Sequence, residues 1–544
     1  MRITIILLIC SEIVFADSWI IPDFPKEPTQ EEILTRNDLK DADEKTLLGY
    51  VSENSSSIGY WLPSVTAQEQ QRIASEYLRK MGARDNSAQE YWKTSTEQLT
   101  EKRLIDSRRI VDTVLRKLGK NGSAEAIPHL LFIADQAEIP WAAWKSLASV
   151  QEILPRVDPT KLHHQFLRDI RVDLLAPLLR DLDDTTASRW AWTLWEHHQK
   201  WLTVSFRSRV PLRTRLWLAR SFAALHRDVA GEVFREGLKS NDAALRTAAE
   251  MFIRSGLGGS IPYGSSPEEL LRLYSGQSWT PNQPVWEILP TPLGQPLARE
   301  HEGGRPGRTD LIWLSRDAAI MRDERDVWPM VCAVLPNGLF YSRVGDSSPP
   351  SFALTTDQGE ITARFPKLSG LHPLIAWHDG LWNFSGQTHA TEFFPDGAVL
   401  WQCPLSGGHR AVAPVGGGRV VILGYSFLQC RDRRGDVTWE CSLDGLDDPR
   451  SIFPISDRQF IVSCTNSVGW VTPAGKYTPV LEGMKSALWV RYHPTSEWVI
   501  FDGGNGEAIL FDPSTKSVTG RFDLDDGGER AQSRFSSDPK FYPE

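Results

Sequence analysis

Two hydrophobic periods divide the chain. From about Val65 to Gly256 apolar residues recur at three- and four-residue spacing among Leu, Ala, Arg, Glu and Trp, the pattern of amphipathic helices. Ser87-Ala-Gln-Glu opens one helix with a capping-box pattern, Pro140-Trp-Ala-Ala-Trp opens another, and Asn241-Asp242 precedes a third. Similar segments start 33 positions apart, at Leu212 and Leu245, and the His-His-Gln triplets at His163 and His197 lie 34 apart. A spacing near 33–34 predicts stacked helical hairpins, an α-solenoid-like repeat region, with an irregular helical bundle as the alternative. Between 257 and 308 the composition shifts to Gly, Pro and Ser around a short helix at Pro267 to Tyr274, which reads as a connector. Its Trp279 and Trp286 predict that it packs on a surface in places.

From Thr309 the period falls to two. Turn-like residues recur at Ala318, Gly359, Gly397, Gly435, Gly475 and Thr515, with separations of 41, 38, 38, 40 and 40. Each turn joins two strands, and a second apolar pair follows, as in Gly418-Arg-Val-Val-Ile-Leu-Gly. Four strands per unit of about 40 residues is the repeat of a β-propeller blade. The chain is therefore expected to be multidomain, α then β, with a helical repeat region at 65–256 and a six- or seven-bladed β-propeller at 309–530. Residues 17–64 remain as an N-terminal extension and 531–544 as a tail.

The phrases Ser123-Ala-Glu-Ala-Ile-Pro-His-Leu-Leu and Asn241-Asp-Ala-Ala-Leu-Arg-Thr-Ala-Ala resemble HEAT repeats. The turns Gly397-Ala-Val-Leu-Trp401 and Gly435-Asp-Val-Thr-Trp439 resemble the core of the PQQ-like (quinoprotein-type) propeller repeat. That resemblance implies that an indole from each blade docks against the next and makes Trp401, Trp439, Gly359, Gly397, Gly435 and Gly475 structural blade residues. The departures are informative. Ala363 and Pro479 replace Trp in other copies, and Phe393 and Arg431 replace the family's Asp, so the fold is implied and quinone binding is not.

Length and charge narrow the classes. At roughly 100–200 residues per domain, 544 residues make two or three folding units. A hydrophobic fraction of 41% with twenty-one Trp excludes a disordered chain. A formal net charge of −9 argues against nucleic-acid binding, or anionic-membrane binding, through a basic surface. Residues 1–16 have one basic residue, Arg2, an apolar run from Ile3 to Cys10 and an ending Val14-Phe15-Ala16, which reads as a secretory signal peptide cleaved near Ala16. Ile9 stands where a lipoprotein signal takes a small residue, which argues against a lipid anchor at Cys10. The expected location is periplasmic or secreted, with no transmembrane segment.

Past the signal, the five cysteines Cys332, Cys403, Cys430, Cys441 and Cys464 are an odd number and cannot all pair. Cys430 and Cys441 flank a tight turn, leaving open either a bridge across a hairpin or two free thiols. No zinc-helix, nucleophile-elbow or phosphate-loop motif occurs. Asp432-Arg-Arg-Gly435-Asp-Val-Thr-Trp439 departs from the sialidase Asp-box because its Asp-to-Gly and Gly-to-Trp gaps are each one residue too long. Asp523, Asp525 and Asp526 precede Gly527-Gly528, but Arg534 stands where a calcium-binding hand needs Glu, so this is a charged tail. The paired histidines His163-His164 and His197-His198 fall on predicted helices, where neighbours diverge by about 100°, so neither pair chelates a metal alone. Asn54, Asn121 and Asn383 begin Asn-x-Ser sequons.

His372, His378, Asp379, His389 and His409 fall within two adjacent blades and are the candidates for a ligand face. No cofactor, metal site or catalytic set is expected. The functional expectation is an exported, non-catalytic binding or assembly module for another protein or an extracellular or envelope component. The alternative is a hydrolase or lyase acting on an extracellular polymer through the propeller channel.

Overall fold

A computed structural model describes residues 30–55 except 38, residues 95–257 except 137–139 and 203–209, residues 266–276 and 279, and, with short internal gaps, 297–523. Helices fill the N-terminal half and antiparallel sheets the C-terminal part. The proposed signal peptide, the Ser87 capping box, Gly359, Gly397 and the C-terminal tail lie outside the described residues.

The helices begin earlier than the periodicity suggested. α1 (Gln30–Arg36) and α2 (Glu44–Ser55) fall inside the stretch read as an extension, and both pack on α3 (Ser95–Asn121). Leu39 of the link between them and Leu47 and Val51 of α2 belong to the same core as Val111, Val114, Leu115 and Leu118 of α3, which lie on one helical stripe. α4 (Ala126–Gln136) and α5 (Pro140–Ile153) form the next pair. Regularity then lapses. Residues 154–181 carry three 3-10 turns, each with a proline in its first two positions, and two short helices, α6 (His164–Asp169) and α7 (Val172–Leu175). Longer helices resume as α8 (Asp184–Leu202), α9 (Leu212–Phe222), α10 (Arg227–Leu238) and α11 (Ala243–Leu257), each packed on the next. Asp242 caps α11 by accepting from Ala244 N at 2.8 Å. α12 (Pro267–Gly276) packs on α10 and α11, and Trp279 stands 5.7 Å from the Phe234 ring and 5.3 Å from Tyr274, so the described part of the connector is docked.

Six sheets follow among the described residues. The first, within 297–327, has three strands; the other five, within 330–365, 374–404, 409–442, 451–482 and 487–523, have four each, paired in sequence order. The first strand, Leu297–Glu300, starts ahead of Thr309, so the sheets begin inside the stretch read as connector. First strands of successive sheets pack side by side, from the first sheet to the second, the second to the third, the fourth to the fifth and the fifth to the sixth. Meandering sheets stacked face to face around their first strands make a β-propeller arrangement.

Burial explains the strand sequences. In the fourth sheet Arg419–Gly424 is buried at every position after its first, because neighbouring sheets cover both faces, whereas the outermost strand Val437–Ser442 is exposed or half-buried throughout. All five four-stranded sheets carry a register shift in the hairpin joining their last two strands. That register also decides the cysteine pair: Cys430 lies opposite Trp439, and Cys441 opposite Leu428, so the two thiols do not face each other. Both are free, as are Cys403 and Cys464.

Candidate functional site

The described groups that converge most densely lie where helices and sheets meet, and they centre on the turn Asp432–Asp436. Asp432 N donates to Asp436 O at 3.0 Å, and Gly435 N to Asp432 O at 2.9 Å. Gly435 has φ 82°, left-handed backbone that a glycine adopts without a side-chain clash. Inside this loop the Asp432 carboxylate accepts from Arg434 N at 2.9 Å and Asp436 N at 3.0 Å. The turn is thereby fixed, and it holds two adjacent guanidinium groups toward the helices.

Arg433 donates to Asp181 from Nε at 2.8 Å and from Nη2 at 3.2 Å, and from Nη1 to Glu392 at 2.8 Å. Arg180 donates to the same Glu392 oxygen, with side-chain exposures of only 6% and 2% for that pair. Gln151 adds a bond to Asp181 at 2.7 Å. Two arginines and two acids therefore alternate in a closed, buried set, the arrangement in which desolvation is best offset. Aromatic faces cover it: Arg180 lies over Trp217 at 5.3 Å and Arg433 over Trp401 at 4.9 Å. Trp401 also donates from its indole to Arg433 O at 2.7 Å, joining the third sheet to the turn of the fourth.

Arg434 reaches a second point. Its Nε donates to Glu152 at 2.6 Å and its Nη2 to Ser149 Oγ at 3.0 Å. A Cβ on Gly119 of α3 would stand 2.5 Å from both Arg434 Nη2 and Glu152 Oε2, so the missing side chain there makes room for the pair. Asp436 accepts from both terminal nitrogens of Arg116, whose Nε donates to Asp112 at 2.8 Å. An apolar anchor completes the joint. Phe394, from the equivalent turn of the third sheet, is fully buried in the helical core, with the Arg213 guanidinium over its ring at 4.1 Å.

Charge states follow from these contacts. Burial alone would raise the carboxyl of Asp181, but Arg433 and Arg180 outweigh it and hold it below the usual carboxylate range. Asp436 is likewise held down against burial by Arg116, Lys145 and Arg434. Asp432 moves the other way, raised mainly by burial. Burial also pushes the Cys403 thiol up to about 12 and Cys464 to about 11, so both stay protonated near neutral pH.

The sequence-derived candidates are not among these groups. His372, His378 and Asp379 lie outside the described residues. His389 and His409 open the strands His389–Phe393 and His409–Val415, in register with Pro404 and Gly424, at the sheet ends opposite the docking turns. His163 caps α6, accepting from Gln165 N at 3.2 Å, a capping histidine and not a metal ligand. His164 and His197 meet edge to face at 4.4 Å, so the triplets touch and do not mark equivalent repeat positions. Among the described residues, no group of three or more His, Cys, Asp or Glu could hold a metal ion, and no helix is long and apolar enough to cross a membrane. Arg433 and Arg434 were legible only as turn residues; their signal was two adjacent arginines in a repeat whose neighbouring turns carry Pro395-Asp396 and Pro473-Ala474.

No protein-family model matches the chain. No curated protein matches it either. Solved structures do. A nidogen/laminin complex matches at 14% identity over 44% of this chain and 96% of that one, with a TM-score of 0.33. The WD40 β-propeller domain of Doa1 matches at 10% identity over 43% and 87%, TM-score 0.29, and BamB from Moraxella catarrhalis at 11% over 45% and 76%, TM-score 0.25. The propeller description rests on the strand order and packing of this chain's own sheets.

Proposed function

We propose that the protein is an exported, non-catalytic binding or assembly module, built from HEAT-like helical repeats joined to a PQQ-like propeller of six or seven blades. The observation that carries this reading is the joint itself. Arg433, Arg434, Asp436 and Phe394 lock the sheets onto the helices through charges whose partners are other side chains of the chain. Acids consumed in buried ion pairs orient two regions; they do not exchange protons with a substrate. A chain fixed in this way presents two broad surfaces at a set angle, which favours recognition of a protein partner. The basic-then-apolar start of the sequence supports export, with cleavage near Ala16.

The test is to immobilise residues 17–544 and identify what is retained from the envelope and secreted fractions of the source cells. A protein that is retained reproducibly, and that forms a stoichiometric complex with the purified chain on size-exclusion chromatography, supports the module. Retention of polysaccharide alone, with turnover of that polysaccharide, overturns it.

A further inference from the structure

The joint encloses more than its own ion pairs. Between α1, the end of α3 and the turn Asp432–Asp436 lies an open cleft of about 480 Å³, lined by both regions of the chain. It exists only while the turn is docked.

Its charges do not cancel. Arg116 is matched by Asp436 and shares Asp112 with Lys145, which stands 3.2 Å from it, Arg434 is matched by Glu152, and Lys40 by Glu31 at 2.7 Å. Lys117 spends its three donors on neutral acceptors, Leu39 O at 3.0 Å, Lys40 O at 2.5 Å and Ala42 O at 3.4 Å, so it brings positive charge to the cleft with no acidic partner among the described residues and no donor to spare. Lys120 is exposed at the cleft wall and has no acidic partner among the described residues. The carbonyls at the end of α3, which would otherwise repel an anion, are covered by Arg156, which donates to Lys120 O and to Gly119 O at 2.6 Å. The one unmatched acid is Asp432, whose carboxylate is turned into two backbone N–H groups and whose burial favours its protonated form. Two lysines thus outweigh one occupied acid. The volume admits a few residues of extended chain, and Asn121 and Gln30 line it with amide donors and acceptors that suit a peptide backbone.

We propose that this cleft is the docking site for a short acidic segment of the protein partner, received by Lys120, with the charge of Lys117 behind it. The inference rests on the assembly-module reading and deepens it. It also gives the charged joint a role, because the wall carrying Asp432 and the wall carrying Lys120 meet only in the docked chain.

The test uses the full chain and a fluorescent hexaglutamate peptide, followed by polarisation at low and at physiological salt. Saturable binding is expected, weakened by salt and weakened about five-fold by Lys120→Glu. Lys239→Glu, a reversal at the exposed end of α10, should leave it unchanged, and circular dichroism should show all three chains equally folded. Absence of saturable binding, equal binding by Lys120→Glu, or displacement by inorganic phosphate at matched ionic strength overturns the proposal. The two readings separate cleanly. If the captured partner is retained equally by the Lys120→Glu chain, the cleft falls and the module stands; if the peptide binds as expected but no partner is ever retained, the module falls.

Discussion

Two turns of identical backbone design meet different fates. In the fourth sheet Gly435 N donates to Asp432 O at 2.9 Å with Gly435 at φ 82°; in the fifth, Gly475 N donates to Thr472 O at 2.9 Å with Gly475 at φ 75°. The first carries Arg433, Arg434 and Asp436 into the helices. The second carries Pro473, Ala474 and Lys476, and its glycine rests against the backbone of its own neighbour, the fourth sheet. The equivalent turn of the third sheet docks by apolar contact, with the Phe394 ring inside the helical core and Ala398 and Leu400 packed against it. The comparison separates two layers of information: repeated glycines and strand pairs build the sheets, and a few non-repeated side chains decide which sheets bind the helices.

The largest way to break this contrast is to remove the guanidinium at the centre of the joint. Arg433→Ala leaves Asp181 and Glu392 buried with Arg180 alone, and stripping one member from a buried ion set costs about 3–5 kcal/mol. The urea midpoint should drop accordingly, and proteolysis should open the chain between helices and sheets. Lys476→Ala in the equivalent turn of the fifth sheet, at the place that Asp436 holds in the fourth, should shift the midpoint by under ~0.5 kcal/mol. An equal loss from both would show that Arg433 contributes nothing special to docking. Next comes the apolar anchor: Phe394→Ala removes a fully buried ring packed by Trp217 at 6.1 Å and should cost about 3 kcal/mol, read in the same denaturation series.

A smaller substitution sharpens the contrast from the other side. At Gly475 an added Cβ would stand 2.4 Å from Ser442 O, on backbone that is already left-handed, so Gly475→Ala should cost about 2 kcal/mol. Its effect should be confined to the fourth and fifth sheets. Hydrogen exchange should speed up in Val437–Ser442 and Tyr477–Glu482 while the amides of α5 keep their protection.

What could be read from the sequence follows the same division. The spacing from Gly397 through Gly435 to Gly475 located hairpins that the strand register confirms at the last two, because a turn residue and its flanking period of two are local properties. The stripe of α3 and the cap of α11 were legible for the same reason. The joint was not. Arg433 meets Asp181 at a separation of 252 residues and Arg434 meets Glu152 at 282, and periodicity reports which face is buried without reporting what charge waits across it. The stretch 154–181 shows the same limit: it lies inside the region read as helical repeats, yet Pro155, Pro159 and Pro177 stand at the start of separate 3-10 turns, and the last of these presents Arg180 and Asp181 to the sheets.

The smallest expected effect concerns protons, and its sign differs between acids a few residues apart. Asp181 and Asp436 have folded pKa values below the unfolded 3.8, so their contribution is present above 3.8 and is lost as pH falls through the folded values. Asp432 is raised above 3.8, chiefly by burial, so its protonated form favours the folded chain, a contribution fully present below 3.8 and lost as pH rises through the folded value. The joint should therefore hold best near pH 3.8, losing the Asp181 and Asp436 contributions as pH falls below it and the Asp432 contribution as pH rises to that group's folded value. Asp432→Asn keeps the side-chain oxygen that accepts from Arg434 N and Asp436 N and removes the ionisation. Melting temperature measured across pH should then stay level above 3.8 in the variant, while the wild type declines from 3.8 until the pH passes the folded value of Asp432 and then levels off; the loss in strong acid should persist in both, because Asp181 and Asp436 are untouched. A variant that matches the wild type in acid but melts lower once the pH passes the folded value of Asp432 would show instead that the Asp432 charge itself holds the turn in the docked form and partly cancels the positive charge of the neighbouring cleft.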